Sequence, residues 1–251
     1  MVIWRSWQSL KPPIWETPAA ASRGSGGLIR KDTFFALCAL AAFGLGGGAV
    51  RAETLAKETP AAEVLTIVAL GDSLTAGYQL PPEEAFPAQL EAALRARGHQ
   101  VAVVNAGVSG DTTSGGLARL DWSVGADSDA VIVALGGNDA LRGLPPATTR
   151  SNLEQIVGAL RARGLPVLLA GIKAPRNLGD EYADAFDAVF PAVAEAQGAL
   201  LYPFFLDGVP ISPETVQADG IHPTGAGVGL MVKGILPSVE ELISRARASG
   251  G

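Results

Sequence analysis

The sequence predicts an α/β fold, a parallel sheet covered by helices on both faces. Apolar strands and amphipathic helices alternate from residue 65 onward. The strands are continuously apolar rather than alternating, so both of their faces are buried. Three glycine-rich segments also fall just after strands, where sheets of this kind bind ligands. They are Gly71-Asp72-Ser73-Leu74, Asn105 to Gly110 and Gly136-Gly137-Asn138-Asp139.

Leu65 to Leu70 is a short apolar run ended by Gly71, a buried strand. Phe86 to Arg97 places Leu90 and Leu94 four apart, with Gly98 closing the helix. Val101 to Ala106 is the second strand, a short helix follows near Ser114 to Leu120, and Ala130 to Leu135 is the third strand. Thr149 to Arg163 is a long helix with Leu153, Ile156, Val157 and Leu160 on one face. Val167 to Ala170 is the fourth strand. Tyr182 to Gln197 is helical with a kink expected at Pro191. Leu200 to Phe205 is a weaker fifth strand, and Gly225 to Arg247 a last helix that Pro237 can break.

At 251 residues the chain is long enough for one sizeable core. A net charge of −6 argues against nucleic acid, since phosphate binding needs a basic face. No stretch approaches the roughly 20 apolar residues of a membrane span. Arg30 and Lys31 precede an apolar run from Phe34 to Leu45, and small residues at Val50 and Ala52 follow. This is the pattern of a secretory signal cut after Ala52. Residues 1 to 27, with Pro12, Pro13 and three tryptophans, fit no targeting pattern. The expected organisation is an N-terminal extension and signal over 1–52, a linker over 53–63 and one domain over 64–251. The expected location is periplasmic or secreted.

The cut removes six of the 19 Lys/Arg and two of the 25 Asp/Glu, leaving 13 and 23 and a net charge of −10. It also removes Cys38, the single cysteine, so neither a disulfide nor thiolate zinc ligands are available.

A serine nucleophile needs a base, a group to orient that base and donors for the oxyanion. The chain has two histidines. His99 lies in a polar turn at the amino edge of the sheet, away from the ligand edge. His222 lies in Asp219-Gly220-Ile221-His222-Pro223, where the acid three residues back can accept from Nδ1 and leave Nε2 free for a serine proton. A helix cap beside a surface histidine is the plainer alternative. Ser73 follows a buried strand, without the G-x-S-x-G elbow. Gly107, having no side chain, can present its N–H to a substrate oxygen, Asn138 can aim its amide there, and the Ser73 N–H is the third donor. Leu80, Leu141, Leu144, Leu178, Phe204 and Phe205 lie near the expected strand ends. The substrate-lining candidates among them are Leu80, Leu141, Leu178 and Phe204.

These segments resemble the blocks of the GDSL, or SGNH, hydrolase family. G-D-S-L-T-A-G-Y from Gly71, S-G-D-T-T from Ser109, L-G-G-N-D-A-L-R-G from Leu135 and D-G-I-H-P from Asp219 narrow the likeness. They are similar to the bacterial periplasmic arylesterase, acyl thioesterase and lysophospholipase branch, over about residues 65 to 245. The resemblance implies Ser73 as nucleophile, Asp219 and His222 as its triad partners, and Ser73, Gly107 and Asn138 as the oxyanion hole. It also implies a flavodoxin-like sheet of five strands ordered 2-1-3-4-5. The expected activity is an esterase on acyl or aryl esters, needing no cofactor or metal. Thioesterase and lysophospholipase activity are rivals, carbohydrate deacetylation is a third, and a non-catalytic binding domain a fourth. The expected partner is a small ester, and the expected state a monomer or weak oligomer.

Overall fold

In a computed structural model of the protein, residues 64–249 are described. The expected signal, its cut after Ala52 and the linker over 53–63 lie outside the described residues.

The elements run β1 (Leu65–Gly71), α1 (Ser73–Ala76), α2 (Phe86–Ala96), β2 (Val101–Gly107), α3 (Thr113–Ala118), α4 (Leu120–Ser123) and β3 (Ala130–Ala134). Then come α5 (Gly137–Leu141), α6 (Pro146–Ala162), β4 (Val167–Ala170), α7 (Asp180–Asp187), α8 (Val189–Gln197), β5 (Leu200–Tyr202) and α9 (Gly225–Ser249). All five strands are parallel, in the order β2-β1-β3-β4-β5. The expected architecture is therefore present. Ile67, Leu70, Ile132, Val133, Leu168 and Leu169 are wholly buried, as strands between two helical layers require.

Order 2-1-3 puts a topological switch beside β1, because the chain leaves β1 for one side and returns on the other. Sheets of this kind form their ligand crevice there, at the carboxyl ends of the strands. Gly71 pairs with Gly107 of β2 and Ala134 of β3, so the loops after these three strands start level with one another.

Three elements differ from the sequence reading. The helix expected over 182–197 breaks at Ala188, three residues ahead of Pro191. Proline has no N–H to give the carbonyl four residues back, so the ladder fails at Asp187. β5 stops at Tyr202 because Pro203 cannot continue the ladder. α9 runs unbroken through Pro237, which lies on its exposed side, where the freed Lys233 carbonyl can meet water.

Candidate active site

The switch-point crevice gathers the candidates. Ser73 is the first residue of the short helix α1, and the Asp72 carboxylate caps that helix by accepting from the Leu74 N–H at 3.0 Å. The Ser73 N–H therefore sits at a helix start, where it has no partner within the helix. Its hydroxyl oxygen lies 2.8 Å from His222 Nε2, across 149 residues of chain. His222 Nδ1 lies 2.6 Å from Asp219 Oδ2. The other Asp219 oxygen accepts the backbone N–H groups of Ile221 at 2.9 Å and His222 at 3.0 Å. One carboxylate thus folds its own loop and fixes the imidazole tautomer that leaves Nε2 facing the serine.

Burial pushes the Asp219 carboxyl up, but the hydrogen bonds from the His222 backbone and ring and from Ile221 outweigh it. They hold it below the usual carboxylate range. The Tyr78 ring lies against the imidazole, 4.5 Å between centroids.

Asn138, in the first turn of α5, donates through Nδ2 to the Asp111 carbonyl at 2.9 Å, and the same nitrogen lies 3.5 Å from Asp72 Oδ2. The Asp72 carboxylate is 2% exposed. Burial raises its pKa to about 6, with the Leu74 hydrogen bond and the nearby His222 imidazole pulling the other way.

Gly107 is placed differently from expectation. Its N–H donates to the Asn105 side-chain oxygen at 3.0 Å, so the donor foreseen for a substrate oxygen is already taken. The position needs glycine for packing instead. A β-carbon there would overlap Ala76, at 2.7 Å from its Cα, and reach within 2.9 Å of the Asp72 carbonyl. Gly110 has no such engagement: among the described residues no acceptor takes its N–H. Its φ of +85° turns the chain sharply. Arg142 holds its carbonyl at 2.9 Å, and Asn138 holds the next one. The Asn105 side chain two residues before Gly107 is the local signal that could have shown which glycine keeps its donor.

Arg119 is a second residue that the sequence reading missed. It is 7% exposed and spends its guanidinium on the loops around the crevice. It donates to Asp111 Oδ2 at 2.6 Å, the Ala106 carbonyl at 2.9 Å and the Gly71 carbonyl at 2.8 Å. It therefore ties the ends of β1 and β2 to the segment that Asn138 grips. Asp139, fully buried beside Asn138, accepts from the Thr113 N–H at 2.8 Å, with the Thr113 and Thr149 hydroxyls as further partners.

The lining candidates divide. Leu141 and Leu178 are exposed, Leu80 is partly buried against the core, and Phe204 is half-buried with Lys173 Nζ 5.0 Å from its ring centre. Phe205 is a core residue, edge-on to Phe86. His99 faces Glu240 at 3.2 Å, between α2 and β2, at the amino edge. Among the described residues no cluster of His, Cys, Asp and Glu is arranged to hold a metal ion.

The chain is 43% identical over 158 residues to an arylesterase of Vibrio mimicus, covering 62% of this chain and 79% of that protein. It is 42% identical over 164 residues to the thioesterase 1/protease 1/lysophospholipase L1 of Escherichia coli K12, covering 65% of this chain and 77% of that protein. A crystal structure of TesA superposes with a TM-score of 0.67 at 40% identity, over 70% of this chain and 99% of the other. The GDSL-like Lipase/Acylhydrolase family pattern matches residues 69–230, which is more than half of the sequence. The chain belongs to the GDSL-like lipase/acylhydrolase family.

Proposed function

We propose that the protein is a serine ester hydrolase acting through an acyl-enzyme on Ser73. The observation that carries this reading is the unbroken relay from Ser73 Oγ through the imidazole to Asp219, at 2.8 Å and 2.6 Å. His222 Nε2 takes the hydroxyl proton as the serine oxygen attacks the ester carbonyl carbon. The carbonyl oxygen becomes the oxyanion, held by the Ser73 N–H, the Asn138 amide and the Gly110 N–H, which replaces Gly107 in this role. The tetrahedral species collapses, the carbon–oxygen bond to the leaving alcohol breaks, and that alcohol takes the proton from His222. Water then attacks the acyl-enzyme with the same histidine as base, releasing the acid and restoring the serine.

Broad acyl or aryl esters are the substrates we favour. Tyr78, Val108, Leu141 and Ile221 are exposed on the segments that carry the relay and its donors, and offer apolar contact. The name of the Escherichia coli relative supports thioester and lysophospholipid hydrolysis as the second reading. Export under the signal over 1–52, with a cut after Ala52, stays part of this proposal. Among the described residues no helix is long and apolar enough to cross a membrane.

The test is a hydrolysis panel of p-nitrophenyl esters of increasing chain length, phenyl acetate, acyl-CoA and lysophospholipid, with Ser73→Ala as control. Turnover that survives in Ser73→Ala sinks the acyl-enzyme. Amino-terminal sequencing of the protein from its host checks the cut.

A further inference from the structure

The relay joins the start of α1 to the loop that precedes α9, and a side chain outside the relay bonds to both regions. The loop carrying Asp219 and His222 is closed at its base by the Gln217 N–H, which donates to the His222 carbonyl at 2.7 Å. The Gln217 side-chain nitrogen donates twice more, to the Pro223 carbonyl at 2.8 Å and the Tyr78 carbonyl at 2.9 Å. Tyr78 follows α1, the helix of Ser73, and its ring is the one that lies on the imidazole. Both amide hydrogens are thus spent, one on each loop.

We propose that Gln217 is a positioning residue, whose side-chain amide clasps the loop of His222 to the loop that follows Ser73. It touches neither substrate nor reacting atoms. Asp219 orients the imidazole within its own loop, but nothing internal to that loop sets the distance to the serine. The Ser73–His222 hydrogen bond is remade in every cycle, so it cannot be the part that holds the loops together. A second glutamine clasp keeps the surrounding fold closed: Gln89 of α2 donates to the Glu84 carbonyl at 2.8 Å and the Gly225 carbonyl, at the start of α9, at 2.9 Å. Loss of Gln217 therefore frees the base loop without separating α2 from α9.

The inference rests on the hydrolase reading, and two variants of the full chain test it. Gln217→Met keeps the bulk and removes both donors. Gln217→Glu keeps the shape and turns a carboxylate toward two carbonyl oxygens. Both should lower kcat roughly tenfold to a hundredfold, the scale of an ångström of misplacement, with KM unchanged. Both should keep the melting transition. The two histidines should give separable ring-proton NMR signals, and the Tyr78 ring, 4.5 Å from the imidazole, should shield that of His222. In Gln217→Met this signal should move to an unshielded position while that of His99 stays. A kcat within about twofold of the parent, or an unmoved His222 signal, overturns the clasp. Loss of the melting transition in both variants also overturns it, because Gln217 then holds the fold rather than the loop. An inert parent sinks the hydrolase reading alone, since the NMR signal still decides the clasp.

Discussion

Asn138 gives one amide hydrogen to the Asp111 carbonyl at 2.9 Å, and the same nitrogen faces Asp72 Oδ2 at 3.5 Å, so the plane of the amide is fixed. An oxyanion donor held in this way costs no reorganisation when charge develops. Asn138→Ala should lower kcat by roughly 10²–10³ with little change in KM or melting temperature. Steady-state kinetics with thermal melts check it, and a near-normal kcat removes Asn138 from the oxyanion hole.

Gly107 packs against the backbone of the helix that presents Ser73. In Gly107→Ala the β-carbon must push α1 away from β2. The expected cost is roughly 1–3 kcal/mol of stability, with kcat falling because Ser73, the proposed nucleophile, moves. Gly110→Ala meets no atom closer than the Arg142 guanidinium nitrogen at 4.0 Å, so its strain comes from the backbone alone. Denaturant melts of both variants should rank Gly107→Ala as the weaker fold.

Asp72 makes stability depend on pH. Its carboxyl titrates at about 6 in the folded protein against an ordinary 3.8. Below the lower value both states hold the proton and Asp72 carries no penalty. As pH rises between the two values the unfolded chain ionises first, so stability falls, and above the folded value the loss is complete. The loss is about 3 kcal/mol by the conversion of a pKa difference to free energy. Asp72→Asn keeps an acceptor for the Leu74 N–H and cannot ionise. Urea unfolding at a series of pH values should show this slope in the parent and its absence in the variant.

Arg119 and Asp111 form a nearly buried ion pair at 2.6 Å. Arg119→Met strands the carboxylate and the Ala106 and Gly71 carbonyls, and should cost roughly 3–5 kcal/mol. Adding Asp111→Asn should recover part of that loss, because the uncompensated charge is gone. Simple additivity of the two single losses in a denaturation cycle would contradict this pairing.

The sheet was legible because buried parallel strands leave an unmistakable record: β3 and β4 are uniform apolar runs between helical segments, and β1 is interrupted only by Thr66 before its closing glycine. The relay was legible for a different reason. With two histidines in the chain, and only His222 carrying an acid three residues behind it, few combinations remain. The oxyanion side was less so. Whether Gly107 or Gly110 keeps a spare N–H depends on where the Asn105 side chain turns, a three-dimensional fact with a faint local signal. Arg119 reads as an ordinary charge near a helix end, and Gln217 as one more polar loop residue. Both matter through carbonyl groups far away in sequence, and a carbonyl has no letter of its own. The break at Ala188 was misplaced because proline acts on the turn before it, not on its own position.

The two flanks of the crevice differ in how they are secured, and this bears on how the protein responds to warmth. One flank is riveted by interior charges and hydroxyls, the other latched by a few bonds at the surface. Mild heating should unlatch the second flank long before the first gives way. Catalysis would then dim well below the temperature of global melting and return in full on cooling, so a preheated and rechilled sample should match an unheated one.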